Sequence, residues 1–474
     1  MRFNSLVYMA FLAVVVLGAR FLPARPRKAW LLVASYVFYG SWHYPYLALL
    51  FGAGALSFFG AHFIAAVEDR KRRVTIVVGA NLALLGVFKY ADWVLESWGV
   101  VAGAIGLGAP ALLDLVLPLG ISFYLFQCMS YVIDVGRRRE TPYRFWDVQL
   151  FVAFFPQLIA GPIMRAKELL PQLTTNHKRP IEVGHALTTI VSGLFLKVVL
   201  ADGLAPNVDA AFARAPSALS ALDVYVMATG FGLQIYFDFA GYSLMAIGSA
   251  RLLGIELVQN FNHPYVARSP ADFWARWHMS LSRWIRDYLF HPLAGGRSGW
   301  LRLAFAALVA MTLCGLWHGA GFTFIVWGAY HGVLIAGYHV LSRKKPAVAV
   351  PRARALLEDG AKVVVTFGLV TLGWVWFRAQ SVAQAFELSV RGLLPLSHGE
   401  RGLSGVFYLQ VAALVLATWA APSVARRLAP LGRLAATERA PLTLSFTRGA
   451  VVGLLLAVTL VYLRGQKEFV YFQF

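Results

Sequence analysis

Stretches of apolar residues long enough to cross a bilayer recur from one end of this chain to the other. They fall at roughly residues 5–22, 30–47, 49–66, 74–95, 111–133, 182–202, 221–249, 303–317, 321–341, 363–379, 405–421 and 447–463. A water-soluble fold of 474 residues would divide into two or three domains, and it has no use for so many apolar runs. The sequence therefore predicts an all-α fold: one polytopic integral membrane domain over 1–474, with about twelve membrane-spanning helices. Composition agrees. Hydrophobic residues make up 59% and charged residues 14% of the chain, and mean hydropathy is +0.63. The 42 glycines suit close helix packing, and the tryptophans and tyrosines suit the headgroup level.

The net charge of +20 is placed in a way that excludes a nucleic-acid surface. The basic residues form short clusters between apolar runs: Arg25, Arg27 and Lys28; Arg70 to Arg73; Arg137 to Arg139; Arg165, Lys167, Lys178 and Arg179; Arg343 to Lys345; Arg426 and Arg427. This is the positive-inside pattern, and it matches anionic lipid headgroups. Residues 41–48 and 96–110 contain no Lys or Arg. The clusters are expected to be cytoplasmic and both termini on the outer side of the membrane. The first apolar run lacks a small-residue cleavage pattern and is expected to be retained.

Two segments break the helical pattern. Residues 147–163 end in Phe154-Phe155-Pro156-Gln157-Leu158-Ile159-Ala160-Gly161-Pro162, whose prolines and glycine predict a re-entrant or broken helix buried in protein. In 271–290, Trp274, Trp277, Leu281, Trp284 and Tyr288 recur on one helical side, with Arg276, Ser280, Arg283 and Asp287 on another. That stretch predicts an amphipathic helix at the cytoplasmic interface. Cys128 and Cys314 lie in apolar surroundings and read as small buried hydrophobes. No metal-ligand cluster or phosphate loop is apparent, and Leu50-Phe51-Gly52-Ala53-Gly54-Ala55 lacks the Lys-Ser/Thr ending of a nucleotide cradle.

His318 stands in Gly315-Leu316-Trp317-His318-Gly319-Ala320-Gly321, a short polar break between two apolar runs. His331 follows thirteen residues later in Trp327-Gly328-Ala329-Tyr330-His331-Gly332. An ionisable side chain at membrane depth is costly and usually keeps its place by functioning. The glycines let a substrate approach the His318 ring. Trp317, Phe322, Phe324 and Trp327 offer a low-water surround that favours a neutral imidazole able to accept a proton. Taken alone, either histidine is equally compatible with a structural hydrogen bond to a carbonyl, and His331 reads as the orienting member.

Asp238, in Tyr236-Phe237-Asp238-Phe239-Ala240-Gly241-Tyr242-Ser243, requires a partner or a water-filled cavity; it could pair with an interior arginine or help to orient a histidine. Asn262 and His263 lie in Asn260-Phe261-Asn262-His263-Pro264-Tyr265, which suits a turn beside a ligand or an interfacial loop. Trp274 precedes Arg276 and His278, which with Arg283 and Arg286 would meet either a phosphate-bearing donor or lipid phosphates.

With these segments in view the chain resembles the membrane-bound O-acyltransferase family, in its bacterial branch of alginate O-acetyltransferase membrane subunits. The resemblance rests on Pro118-Leu119-Gly120-Ile121-Ser122-Phe123-Tyr124, Phe155-Pro156-Gln157-Leu158 with Gly161-Pro162-Ile163, the Asp238 segment, Asn262-His263-Pro264-Tyr265, Phe273-Trp274-Ala275-Arg276-Trp277-His278, Leu316-Trp317-His318-Gly319, and the closing Phe469 to Phe474. It implies His318 as the essential residue, supported by His331, with no bound cofactor. Acetyl-CoA or an acyl-carrier thioester would be the cytoplasmic donor, an exported glycan such as alginate the acceptor, and periplasmic or membrane-anchored acetyltransferases the partners. Two alternatives stay open: a transporter that feeds a periplasmic transferase, and D-alanyl transfer to teichoic acid.

Overall fold

The computed structural model describes residues 1–138, 140–174, 181–296, 299–342, 351–393, 402–435 and 442–463, and among them there are helices and no strand. Lys178, Arg179, Arg343 to Lys345 and the closing stretch from Phe469 lie outside the described residues. Among the described residues, seven helical stretches are long and apolar enough to cross a membrane: Ala24–Ala65, Lys71–Ala104, Val183–Phe212, Trp300–His318, Phe322–Ser342, Ala353–Arg378 and Gly405–Arg427. Leu6–Phe21 and Gly449–Tyr462 are shorter apolar helices. The chain is an all-α, multi-span membrane protein. It divides into two compact units, Met1–Ile190 with Tyr242–Val258, and Val191–Gly241 with Gln259–Phe474.

The first unit contains α1 (Leu6–Phe21), α2 (Ala24–His43), α3 (Leu47–Ala65), α4 (Lys71–Ala104), α5 (Ile121–Arg138), α6 (Phe145–Ala153), α7 (Phe155–Leu158) and α8 (Ala166–Thr174). Ser5 caps α1 by accepting from the Tyr8 amide at 3.2 Å. The run expected as a helix over 111–133 begins later, at Ile121, and residues 107–118 take no regular structure. Pro110 and Pro118 flank that stretch, and Gly120 turns the chain with φ +73°. A Cβ on Gly120 would lie 2.6 Å from the Leu158 carbonyl oxygen. The Pro118 and Phe155 motifs therefore pack on each other, and glycine permits the contact. Residues 147–163 are interrupted: α6 stops at Ala153, α7 is a single turn, and the chain bends at Gly161, whose amide donates to the Gln157 carbonyl at 3.1 Å, before Pro162 leads into irregular backbone. Gln157 is fully buried and donates to the Phe151 carbonyl at 2.8 Å, which satisfies part of the break.

The second unit holds the end of α9 (Val183–Leu194), a π-helical turn at Phe195–Ala201, α10 (Asp202–Phe212) and the first two thirds of α11 (Ala221–Leu252). It continues with α12 (Pro270–Arg276), α13 (Met279–Ile285), a π turn at Arg286–Phe290 and α14 (His291–Ala294). The long helices α15 (Trp300–His318), α16 (Phe322–Ser342), α17 (Arg352–Arg378), α18 (Val382–Leu393), α19 (Gly405–Ala435) and α20 (Leu442–Tyr462) complete it.

The stretch 271–290, expected as one amphipathic helix, is built in pieces that part at Trp277-His278, where His278 has φ +41°. The loop at 260–262 takes up the backbone groups freed there. The Asn262 amide donates to the Arg276 carbonyl at 3.0 Å, and the Met279 amide to the Asn260 carbonyl at 2.8 Å. The aromatic side of the pattern survives the break, with Trp274, Trp277, Leu281, Trp284 and Tyr288 all buried.

Candidate active site

Both histidines belong to the antiparallel pair α15–α16, and glycine brings the two helices together. A Cβ on Gly315 would strike the Phe324 carbonyl oxygen, and one on Gly328 the Met311 carbonyl oxygen. One on Gly332 would lie 2.8 Å from the Leu308 Cα. In each helix a histidine immediately precedes the second glycine of a Gly-x-x-x-Gly frame, in Gly315-Leu316-Trp317-His318-Gly319 and in Gly328-Ala329-Tyr330-His331-Gly332. His318 is the last residue of α15, where Gly319 takes the chain into extended backbone. Positive charge developing on its ring therefore meets the carbonyl end of the helix.

The two imidazoles are buried, His318 4% and His331 1% exposed, and Trp327 touches both. Its ring centroid lies 5.2 Å from that of His318, edge to face, and 4.9 Å from that of His331. Trp317 at 4.8 Å and Phe377 at 5.4 Å also pack around His318. Around His331 stand Trp274 at 5.3 Å and Phe273, stacked at 6.2 Å. Trp274 donates its indole N–H to Nδ1 of His331 at 3.3 Å. On the Nε2 side of His331 is Gly373 of α17, where a Cβ would come within 2.9 Å of that nitrogen. This surround is buried and aromatic, a setting in which fixed polar groups interact strongly.

His278 joins the cluster from the break between α12 and α13. Its ring packs edge-on against Phe239 at 4.6 Å and lies 6.2 Å from Trp317. Complete burial pushes its imidazole down to about 3, so it is neutral at physiological pH. The expected site residues thus separate into groups. His318, His331, His278, Trp274 and Trp317 form one buried cluster. Asn262, His263 and Arg276 instead border an open cavity of about 640 Å³.

Asp238 has a buried partner, a lysine where an arginine was among the expectations. Lys197 Nζ lies 2.7 Å from Asp238 Oδ1 and 2.8 Å from Asp202 Oδ1, with the Lys197 and Asp238 side chains each 1% exposed. Lys197 sits on the π turn, which approaches α11 closely because Gly241 has no side chain. A Cβ there would lie 2.7 Å from the Gly193 carbonyl oxygen. The neighbours of Asp238 on α11 support the cluster: Phe239 faces His278, and Tyr236 packs on Trp277 at 6.2 Å.

Sequence reading passed over Lys197, although a lone lysine in the apolar run Leu194-Phe195-Leu196-Lys197-Val198-Val199-Leu200 is itself a signal. It also passed over α17, whose Gly373, Trp374 and Phe377 close one side of the cluster. No group of three or more His, Cys, Asp or Glu suited to a metal occurs among the described residues.

Residues 121–369 match the pattern of the membrane-bound O-acyltransferase family. The chain is similar to a protein of Pseudomonas aeruginosa named probable alginate O-acetylase AlgI, 38% identical over 88% of this chain and 80% of the relative. It is similar also to a peptidoglycan O-acetyltransferase of Helicobacter pylori, 35% identical over 83% of this chain and 80% of that relative. A teichoic acid D-alanyltransferase of Bacillus subtilis is 27% identical over 56% of this chain and 69% of its own length. The chain belongs to the membrane-bound O-acyltransferase family, on the side of its AlgI-like alginate O-acetylases.

Proposed function

We propose that the protein is an O-acetyltransferase of a bacterial inner membrane. It would take an acetyl group from a cytoplasmic thioester, acetyl-CoA or an acyl carrier, for modification of an exported surface polysaccharide. The observation that carries this reading is the pair of buried imidazoles on either side of Trp327, one at a helix C-terminus and the other fixed by an indole N–H. His318 takes the proton of the acceptor hydroxyl as its oxygen attacks the thioester carbonyl. A C–O bond forms, the C–S bond breaks, and the proton passes to the departing thiolate. His331 orients and donates a hydrogen bond.

Alginate or another surface glycan is the acceptor, reached directly or through a periplasmic acetyltransferase partner. Acetyl is favoured over D-alanyl because the O-acetylating relatives match more of this chain and at higher identity. The basic clusters face the cytoplasm and the termini the periplasm.

The test is the purified protein in liposomes supplied externally with acetyl-labelled acetyl-CoA. The reading expects thioester cleavage that requires His318. Label delivered inside as intact thioester, without cleavage, would identify a transporter instead.

A further inference from the structure

The cavity bordered by Asn262 and His263 is walled by three separated parts of the chain, residues 262–276, the start of α17 and α19; the first brings Arg268 and Arg276, and the last brings Arg426. Among the described residues, Asp359 is the only carboxylate on its lining. Arg268 is paired with Asp359 at 2.8 Å, and Arg276 with Asp272 at 2.7 Å. Arg426 differs. Its hydrogen bonds run to the Pro422 carbonyl at 3.3 Å and the Ser423 hydroxyl at 3.5 Å, and it has no carboxylate partner among the described residues.

The lining thus carries uncompensated positive charge around a space of about 640 Å³. Two further features point the same way. The Trp419 indole N–H on its wall is buried and has no acceptor among the described residues. His263 holds a left-handed backbone at φ +48°, an uncommon conformation for a non-glycine residue. Burial, and then the Arg276 guanidinium, pushes the His263 imidazole below its usual value, which leaves it a neutral hydrogen-bonding group.

We infer that this cavity is a binding site for a phosphate group carried on a larger molecule. Guanidinium forks match phosphate oxygens, and an indole N–H adds a donor without charge. The two arginines expected from sequence to share this work, Arg283 and Arg286, border a different and largely apolar cavity of about 400 Å³. The phosphate site is joined to the histidines by a continuous wall of rings. Trp419 packs on Phe367 at 5.5 Å, Phe367 on Tyr265 at 5.5 Å, Tyr265 on Trp277 at 6.2 Å, Trp277 on Trp374 at 5.0 Å and Trp374 on Trp327 at 6.1 Å. Two sources share the chemistry: the phosphate esters of a soluble nucleotide such as CoA, and the phosphodiester of an anionic lipid. The site does not depend on the reaction proposed above.

The full-length protein in nanodiscs of phosphatidylcholine would be titrated with CoA and, separately, with unphosphorylated pantetheine. Nanodiscs containing phosphatidylglycerol would be scored for lipid retained by native mass spectrometry. The expected result is binding of CoA or retention of phosphatidylglycerol, with whichever binds identifying the source. Arg268→Gln with Arg426→Gln should weaken that binding by about tenfold or more, as loss of charge-assisted forks implies. Arg283→Gln with Arg286→Gln should leave it within about twofold. Pantetheine should not depend on either pair. Binding of neither probe, or binding indifferent to Arg268 and Arg426 in a variant of unchanged thermal stability, would overturn the assignment.

Discussion

Trp274 fixes the tautomer of His331. An indole nitrogen only donates, so His331 Nδ1, 3.3 Å away, is the acceptor, and the neutral ring carries its proton on Nε2. On the side facing Gly373, His331 therefore presents an N–H and not a lone pair. That suits a group that holds a carbonyl or hydroxyl oxygen in place and leaves base chemistry to His318. Trp274→Phe keeps the ring and removes the donor, at a cost of about 1 kcal/mol. A kcat about fivefold lower, with KM nearly unchanged, is the expected outcome of steady-state assays. Unaltered kcat in well-folded protein would show the bond to be idle.

Lys197 holds α11 by charge. Lys197→Met would leave Asp202 and Asp238 buried without their shared cation, a loss of about 3–5 kcal/mol for a broken buried pair. Activity should fall at least 100-fold, or the protein should fail to accumulate. Adding Asp238→Asn removes one of the two buried charges and should return both yield and activity to within about tenfold of wild type. A double variant that folds normally but stays inactive would mean that Lys197 takes part in the reaction itself.

His278 couples stability to pH. Its folded value of about 3 lies below the ordinary histidine value of about 6.5, so the unfolded chain binds the extra proton. Stability is unaffected above pH 6.5 and declines as pH falls from there towards 3. At pH 5 the loss attributable to this residue is about 2 kcal/mol. Asn is the substitution to use, because it tolerates the left-handed backbone at this position. Thermal midpoints in detergent between pH 8 and 5 should fall less steeply for His278→Asn than for wild type. Parallel curves would contradict the burial argument.

Orientation is tested without reference to chemistry. Reporters fused after Arg73 are expected to read cytoplasmic, and those after Gly99 periplasmic, because the first loop is basic and the second carries no Lys or Arg over 96–110. The reverse pattern would invert every statement here about which side meets the donor.

The all-helical, multi-span architecture was legible because lipid imposes it residue by residue. His318 and His331 were legible because each sits where an apolar helix is broken or lined by glycine. Other features needed three dimensions. The start of the 111–133 run looked apolar enough for helix, but Gly120 is required against the Leu158 carbonyl, a contact no local pattern contains. The break at Trp277-His278 was hidden because the aromatic residues keep helical spacing across it, while its cause is hydrogen bonding from Asn260 and Asn262. The partner of Asp238 lies 41 positions earlier in another helix, and only folding brings Lys197 to it. Likewise Asn262 and Arg276, on either side of the segment that leads into the buried cluster at Trp277-His278, border a cavity whose other walls come from α17 and α19.

The claim that matters most is that His318 is the base. His318→Ala should insert into the membrane at wild-type level, since it removes a proton acceptor and little apolar packing. The direct measurement is transfer of labelled acetyl from acetyl-CoA by the purified variant and wild type, reconstituted side by side with the acceptor system. The account predicts a loss of about 100-fold or more. Transfer within a few-fold of wild type, at matched protein level, would contradict it.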